Sequence, residues 1–303
     1  MKQRVKKTFS GLPASVQGAI WMTMSAILFA GQAGIVRHLS TNLHFIEISF
    51  FRALFGIVIM LPWLIRVGFE PLRTKHTKLY VMRGLMGTFA MYGYFGGISL
   101  IPLADATAIS FTFPLLVALA GVLLLKEKAH AARWISLFVG FLGTLIVIRP
   151  GFQEVNIGIF MVIGGGVLVA LCAMVLKVVL RNDLPDTAAL YQALYMLPFS
   201  FIGILFVWVW PTWEQWFWGF ALGAFSTSAQ RLYSRAFTTG DVGSVAPFDF
   251  TRLPFVIAIG FIVFSELPDI WTIIGGTVIF CSSIFAGRTE TLRNKNKGAR
   301  ESS

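Results

Sequence analysis

The sequence predicts an all-α polytopic membrane protein, with ten transmembrane helices arranged as two inverted five-helix repeats. Three observations lead to this fold class. Of the 303 residues, 56% are hydrophobic and only 13% are charged. The apolar residues fall into ten continuous segments, and the later segments repeat features of the earlier ones.

The small share of charged residues excludes an ordinary soluble domain, which carries about a quarter charged residues. A large soluble protein still needs a polar surface, whereas a bilayer accepts an apolar exterior. The net charge of +11 would suit nucleic acid only if it formed a basic patch on a soluble face. Here Lys and Arg lie mostly in short loops and tails between apolar segments. The expected partner is therefore a lipid bilayer, and nucleic acid is excluded.

Each apolar segment is long enough to cross a membrane, which takes about 20 mostly apolar residues. Continuous rather than alternating hydrophobicity favours helices over a β-barrel. The predicted spans are 17–37, 45–65, 78–98, 103–125, 132–149, 157–179, 187–209, 214–238, 244–264 and 270–288. The predicted division is a tail at 1–16, a first repeat at 17–149, a second, inverted repeat at 150–288 and a tail at 289–303.

The distribution of basic residues between alternate loops predicts the orientation. The loops on one side of the membrane contain only two basic residues, Arg37 and Arg149, and the loops and tails on the other side contain all the rest of those counted. Because Lys and Arg are enriched in cytoplasmic loops, both termini are expected in the cytoplasm, as in a bacterial inner-membrane protein. The other side receives Lys2, Arg4, Lys6, Lys7, Arg66, Arg73, Lys75, Lys78, Lys126, Lys128, Arg133, Arg181, Arg293, Lys295, Lys297 and Arg300.

An internal repeat supports the division into two halves. The stretch PLADATAISFTFPLLVALAGVLLLKEK, from Pro102, aligns with DVGSVAPFDFTRLPFVIAIGFIVFSEL, from Asp241. The alignment pairs Phe111 with Phe250, and Glu127 with Glu266. Each half contains five spans, so equivalent helices cross the membrane in opposite directions. Inverted repeats of this kind are common in transporters, which bind substrate near the membrane midplane at the repeat interface.

The same residues carry a family resemblance. RGLMGTFAMYGYFGGISLIPLADATAISFTFPLLVALAGVLLLKEK, the later GFLGTLIVIRPG and APFDFTRLPFVIAIGFIVFSELPD resemble an EamA-type member of the drug/metabolite transporter superfamily. The resemblance covers nearly the whole chain. It implies ten helices, a central cavity shared by the halves, and substrate-driven or ion-coupled alternating access. Similar members take up riboflavin or S-adenosylmethionine, and others export amino acids or drugs.

Two arginines inside predicted spans are candidates for substrate binding. An ionisable group in the bilayer costs about 2.5–3.5 kcal/mol on insertion scales, so each one needs a reason. Arg52 lies about 12 Å into the second span at 1.5 Å per residue, and Arg252 lies at a similar depth in the ninth. Their guanidinium groups suit a polar or anionic substrate group. A structural ion pair is the alternative for each.

Asp249 shares a helical face with Arg252, because the two are three residues apart. The repeat does not preserve this pair, since Ser110 and Phe113 occupy the matching positions. Broken symmetry is expected where one asymmetric substrate binds, so Asp249 and Ser110 are further candidate binding residues. Asp249 is also the candidate for a protonatable coupling group, with a salt bridge to Arg252 as the alternative.

The remaining candidates are aromatic residues and residues for coupling or gating. Tyr92 and Phe111 are predicted to stack on a flat substrate ring. Glu47 and Arg83 lie near span ends, where both are expected to reach water. Proline in a helix interior removes a hydrogen bond and kinks the helix. The candidates for coupling or gating are Asp249, Glu47, Arg83, Pro114 and Pro254.

No pattern for an enzyme, a cofactor or a metal occurs in the sequence. The two cysteines, Cys172 and Cys281, and the four histidines have no metal-ligand spacing. No acid–base pair, nucleophile constellation or phosphate loop is evident. The prediction is therefore a secondary transporter without catalytic residues, metal or cofactor. An intramembrane enzyme and a non-transporting scaffold remain the alternatives, and the oligomeric state, including a homo-oligomer, stays open.

The predicted site favours riboflavin among the substrates of similar proteins. Arg52 and Arg252 offer donors to imide acceptors, while Tyr92 and Phe111 offer rings for stacking. A positively charged cavity is a poorer match for S-adenosylmethionine, which is cationic at its sulfonium, unless Asp249 is unpaired. Riboflavin uptake is therefore expected ahead of S-adenosylmethionine uptake and of amino-acid or drug export.

Overall fold

The computed structural model describes residues 14–69, 72–124, 131–149, 156–180, 182–239, 246–282 and 284–285. These residues form α-helices and one 3₁₀ segment, with no β-strand among them, so the all-α prediction is confirmed. The helices are α1 (Ala14–Leu39), α2 (Phe45–Val67), α3 (Thr77–Leu100), α4 (Leu103–Ser110), α5 (Phe113–Leu124), α6 (Ala131–Ile148), α7 (Ile157–Val179), α8 (Pro185–Ile204), α9 (Trp213–Thr239), α10 (Arg252–Phe264) and α11 (Ile270–Ser282). The 3₁₀ segment, Ala246–Thr251, precedes α10.

Helix starts follow local sequence rules. His44 precedes α2, and its side chain accepts a hydrogen bond from a backbone N–H of the first turn. The Glu47 carboxylate in turn accepts a hydrogen bond from the His44 backbone N–H. This reciprocal arrangement is a capping box. Asn156 precedes α7 and accepts from the Gly158 N–H. Pro185 opens α8, a position where its missing N–H removes no helical hydrogen bond.

Four of the described helices are both long and apolar enough to cross a membrane by length and composition. They are α1 from Val16, α2, α7 through Leu176, and α8. Many large apolar side chains on the helices face outward, among them Ile65, Phe138 and Ile262, which are 80%, 64% and 77% exposed. An apolar exterior of this kind fits a multi-pass membrane protein.

The fourth predicted span is interrupted, whereas the sequence predicts one continuous segment with a kink at Pro114. α4 ends at Ser110, a turn follows at 111–112, and α5 begins at Phe113. Pro114 lies second in α5, and a proline cannot bond to the carbonyl four residues earlier, which here is that of Ser110. The ninth predicted span is interrupted at the equivalent place, where the 3₁₀ segment gives way to α10 just before Pro254.

Helix pairs recur between the two halves. α3 packs along α7 and α5 also contacts α7; α9 packs along α1 and α10 also contacts α1. Likewise, α2 contacts α9 and α3 contacts α8. When the first five predicted spans are matched in order with the second five, the contacts of α3 and α5 with α7 correspond to those of α9 and α10 with α1. The contact of α2 with α9 corresponds in the same way to that of α8 with α3. The two interrupted segments therefore occupy equivalent positions in the bundle.

Close backbone contacts hold α3 against α7. A Cβ placed on Gly93 would lie 2.5 Å from the Met161 carbonyl oxygen, and one on Gly165 would lie 2.8 Å from the Ala90 carbonyl oxygen. Side chains larger than hydrogen would therefore push these helices apart. Small residues at such crossings are typical of packing between membrane helices.

Candidate functional site

Arg252 begins α10 at the interruption of the ninth predicted span, and it reaches the interruption of the fourth. Its Nη2 donates to Ser110 Oγ at 3.3 Å. The same atom lies 3.9 Å from Asp249 Oδ2, with the two side chains 15% and 20% exposed. This separation permits electrostatic attraction but is too long for a hydrogen bond. The structure therefore brings together three of the predicted site residues: Arg252, Asp249 and Ser110.

Aromatic rings flank the Arg252 guanidinium. Its Cζ lies 5.1 Å from the centre of the Phe111 ring and 6.0 Å from that of Phe29. Tyr233 of α9 meets Phe29 edge to face, with ring centres 6.3 Å apart. A guanidinium this close to ring faces is attracted by the ring quadrupole. The group called the Arg252 cluster below comprises Arg252, Asp249, Ser110, Phe111, Phe29 and Tyr233.

The Arg252 cluster contains polar atoms without partners among the described residues. Arg252 Nε and Asp249 Oδ1 are both buried and make no hydrogen bond. A buried donor or acceptor of this kind is costly unless something else satisfies it. The cluster can thus donate and accept hydrogen bonds beside two ring faces, which is the chemistry of recognising a polar, flat molecule.

Arg52 lies on α2 with few partners. Its Nη1 is 3.7 Å from the Met196 sulfur of α8, and its Nε has no hydrogen-bond partner within the described chain. Arg83 is near enough to repel it electrostatically. Arg52 and Arg252 share no contact residue within the described chain, since Arg52 lies beside Met196 whereas Arg252 lies beside Ser110, Phe111 and Phe29.

Arg83 is buried, and the prediction that it reaches water is wrong. Its side chain is only 5% exposed. Nη1 donates to the Ala188 carbonyl at 2.9 Å, and Nη2 donates to Gln192 Oε1 at 2.7 Å. The reason is that α8 packs across this part of α3, which a position near a helix end could not reveal. Arg83 therefore joins two helices.

Glu47 is also buried, so the expectation that it reaches water is wrong as well. The residue is 0% exposed. Oε1 accepts from the Val209 N–H at 2.9 Å, while Oε2 accepts from the His44 N–H at 3.4 Å. The chain beyond α8 folds over the start of α2 and covers the carboxylate. Its contacts are those of a cap that joins α2 to this segment.

Tyr92 lies apart from the Arg252 cluster. Its ring centre is 6.0 Å from that of Phe45 and 5.7 Å from that of Phe89, and its hydroxyl packs against Gly203. The hydroxyl is buried without a hydrogen-bond partner in the described residues. Of the two aromatic residues predicted for stacking, only Phe111 lies beside an arginine of the predicted site.

Two members of the cluster, Phe29 and Tyr233, were not identified from the sequence. Phe29 is one of 29 phenylalanines, and no local pattern separates it from those that face lipid. Tyr233 lies on α9 opposite α1. Only the packing of α1 against α9 and α10 brings both rings to Arg252. The sequence alone does not predict which helices pack together, so it does not predict that these two rings lie near Arg252.

Polar contacts join the helices at the end of the bundle where α1 ends and α2 begins. Arg37 Nη2 pairs with Glu266 Oε1 at 2.5 Å, and Arg37 Nη1 donates to the Ile98 carbonyl at 2.9 Å. The other carboxylate oxygen of Glu266 accepts from the Leu103 N–H at 2.9 Å. These contacts tie α1, α3, α4 and the segment after α10 together.

The opposite end of the bundle has its own polar contacts. Asp183 accepts from Thr74 Oγ1 at 2.6 Å and from the Tyr80 hydroxyl at 2.9 Å. Arg231 of α9 pairs with Asp186 of α8 at 3.4 Å. Groups of three or more potential metal ligands do not occur in the described part of the chain. Ion pairs and hydrogen bonds therefore join helices in both of these regions of the bundle.

Comparison with known proteins identifies the family. The chain matches the EamA-like transporter family twice, over residues 16–149 and 156–288. It is 26% identical over 268 residues to an S-adenosylmethionine uptake transporter of Rickettsia bellii, covering 88% of this chain and 92% of the relative. It is 25% identical over 287 residues to a riboflavin transporter of Vibrio cholerae, covering 93% and 96%.

Further comparisons agree on the architecture. The chain is 28% identical over 278 residues to a pseudopaline exporter of Pseudomonas aeruginosa, covering 90% of this chain and 96% of the relative. A solved crystal structure superposes with a TM-score of 0.65 at 17% identity, covering 89% of this chain and 96% of the other, which shows a shared fold. Because the family match includes both halves, the chain is a multi-pass membrane protein that belongs to the EamA-like transporter family.

Proposed function

We propose that the protein is a secondary transporter that moves riboflavin into the cell across the bacterial inner membrane by alternating access. The proposal includes ten spans, an inverted second half and two cytoplasmic termini. The observation that carries it is the Arg252 guanidinium, which lies between aromatic rings and retains a buried, unpartnered donor. A flat heterocycle with hydrogen-bond acceptors complements this arrangement.

Charge supports riboflavin over a cationic substrate. Arg52, Arg83 and Arg252 lie inside the bundle, and Asp249 is the carboxylate of the Arg252 cluster. A positively charged interior attracts a neutral ring with imide oxygens and repels a cation. A relative that is 25% identical over 93% of this chain is named as a riboflavin transporter. Riboflavin is therefore a substrate that proteins similar to this chain carry.

S-Adenosylmethionine is the second candidate, because Asp249 retains a free acceptor. Asp249 Oδ1 has no hydrogen-bond partner in the described chain, and the Asp249–Arg252 contact is long. A carboxylate so placed can bind an ammonium or sulfonium group. Asp249→Asn distinguishes the candidates, since it should abolish S-adenosylmethionine uptake and leave most riboflavin uptake. Because one relative is named as an exporter, each assay should measure both uptake and release of the substrate.

Growth of a riboflavin auxotroph tests the riboflavin proposal. The host lacks its own importer and grows on limiting vitamin, with or without this chain. Rescue is expected with the wild-type chain and not with Arg252→Ala at equal membrane expression. Absence of rescue by a wild-type chain that is verified in the membrane would exclude riboflavin uptake, and would leave transport of another metabolite open to the S-adenosylmethionine assay.

A further inference from the structure

Two buried polar side chains, Gln32 on α1 and Ser226 on α9, lack hydrogen-bond partners in the described chain. Gln32 is 5% exposed and Ser226 is 2% exposed. Neither Gln32 Oε1 nor Ser226 Oγ makes a hydrogen bond. Most buried serines of this bundle behave differently: Ser25 Oγ, for example, donates to the Ala229 carbonyl at 2.9 Å. Buried polar groups without partners need an explanation, and a ligand is one.

Gln32 lies on the face of α1 that reaches the Arg252 cluster. Residues at i, i+4 and i+7 share one face of a helix, which here places Ser25, Phe29 and Gln32 together. Phe29 lies beneath the Arg252 guanidinium. Gln32 is therefore about 4.5 Å along the axis from Phe29, at 1.5 Å per residue, toward the end where α1 meets α2.

Ser226 faces the groove between α1 and α2. The preceding residue, Phe225, packs on Gly31 of α1, and the following residue, Thr227, has its Oγ1 beside Gly56 of α2. Successive side chains of a helix differ by about 100°. Since the side chains before and after it point to α1 and to α2, and Ser226 itself is buried, Ser226 points between these two helices.

The same contacts give the relative heights of the polar residues. Phe225 lies level with Gly31, and α1 and α9 run in opposite directions, so Ser226 lies about 3 Å along the axis from the level of Gln32. Phe55 packs on Gly223, and Arg52 precedes Phe55 on α2. Arg52 therefore lies about 9 Å from Ser226 along the axis, on the side away from Arg252. Along the axis of the bundle, the levels of Gln32 and Ser226 thus fall between those of Phe29, beside Arg252, and of Arg52.

We infer that the Arg252 cluster, Gln32, Ser226 and Arg52 form one elongated binding path, in which Gln32 and Ser226 bind a hydroxyl-bearing chain of the substrate. The flat ring lies at Phe111 and Phe29, where the aromatic faces are, and the polar chain extends toward Arg52. The inference rests on the proposed function and specifies its substrate class: an elongated molecule with a flat ring at one end and several hydroxyl groups at the other.

Two probes that differ only in the chain test this inference. Riboflavin carries a ribityl chain, whereas lumiflavin has the same ring with a methyl group in its place. Fluorescence titration of the purified full-length protein in lipid nanodiscs gives Kd for each probe. The test variants are Gln32→Leu and Ser226→Ala. The matched control is Ser234→Ala, because Ser234 Oγ on α9 already donates to the Gln230 carbonyl at 2.9 Å.

The inference predicts a selective loss. Each test variant should weaken riboflavin binding about fivefold to tenfold, as expected for one lost hydrogen bond, and should change lumiflavin binding less than about twofold. Ser234→Ala should change neither. The melting temperatures of both test variants should not fall, because each substitution removes a buried unpaired polar group. A purely structural role would instead lower the melting temperature.

The outcomes separate the inference from the proposed function. Wild-type protein that binds riboflavin, together with variants that bind it equally well, would overturn the inference alone. Equal weakening of riboflavin and lumiflavin binding would overturn it too, because Gln32 and Ser226 would then not bind the ribityl chain. Wild-type protein that binds neither flavin would overturn the riboflavin proposal, and this inference with it.

Discussion

Arg52 and Arg83 carry the same charge at neighbouring sites, yet their guanidinium groups differ in partners. Arg83 is held by the Ala188 carbonyl and by Gln192, whereas the hydrogen bond of Arg52 is a long one to the Met196 sulfur. Both Nη atoms of Arg83 have oxygen acceptors and its Nε has none, whereas Arg52 has a single weak contact to a sulfur and an Nε without a partner in the described chain. From these partners we expect Arg83 to contribute chiefly to stability and Arg52 to be available to a ligand.

Replacing Arg83 should destabilise the protein more than replacing Arg52. Arg83→Ala leaves the Ala188 carbonyl and Gln192 Oε1 without their donor, which costs about 2–4 kcal/mol for two charge-assisted bonds. Arg52→Ala removes a weak contact and relieves repulsion with Arg83. Melting temperatures of the purified variants provide the measurement. A larger fall for Arg52→Ala would show that the two roles are reversed.

Replacing Arg252 should impair transport without impairing folding. Arg252→Ala removes the donor that lies between Phe111 and Phe29, so substrate uptake should fall at least about tenfold, a loss of roughly 1.4 kcal/mol or more. Membrane expression and melting temperature should stay near those of the wild type. The control is Arg66→Ala, an exposed arginine at the end of α2. Lost folding combined with full activity of the surviving fraction would instead make Arg252 structural.

At the scale of elements, the sequence predicted the helical segments well and their interruptions only partly. Pro114 and Pro254 indicated kinks, but the proline rule does not say whether a helix bends or stops. The structure stops α4 at Ser110 and begins α10 at Arg252. Ser110 ends α4 and Phe111 lies in the turn after it, and both residues contact Arg252 at the start of α10. Neighbouring helices determine that result, and a single segment does not encode them.

Close packing of α3 on α7 gives a prediction with an internal control. Gly165→Ala would place a Cβ 2.8 Å from the Ala90 carbonyl oxygen, so the helices must separate. Gly164→Ala adds a Cβ with nothing within 4 Å, and helix propensity favours Ala over Gly by about 1 kcal/mol. Melting temperature should fall for the first variant and stay level or rise for the second. Equal effects would contradict this packing.

At the scale of the whole molecule, composition and repeat predicted the class, but they could not place side chains across helices. Glu47 and Arg83 were expected to reach water because they lie near span ends, and both are buried. Phe29, Gln32 and Ser226 carried no pattern that separates them from packing residues. Each became informative only through contacts between distant helices, which hydrophobic periodicity does not contain.

Orientation remains a prediction, and reporter fusions test it. A periplasmic reporter should be active after Leu100, Trp213 and Pro268, and silent after Lys128 and Lys297. The physical basis is the excess of Lys and Arg in one set of loops. The reverse pattern would place both termini outside, although an odd number of spans per half would still invert the second repeat.

Flux through reconstituted protein tests the central claim most directly. Purified protein in liposomes is preloaded with unlabelled riboflavin, and labelled riboflavin is added outside. The account predicts saturable, protein-dependent accumulation of chemically unchanged label, with strong loss for Arg252→Ala and little change for Arg66→Ala. Recovery of a chemically altered product would indicate an enzyme. Absence of protein-dependent flux of riboflavin, and likewise of S-adenosylmethionine, with folded protein in the vesicles would contradict the account.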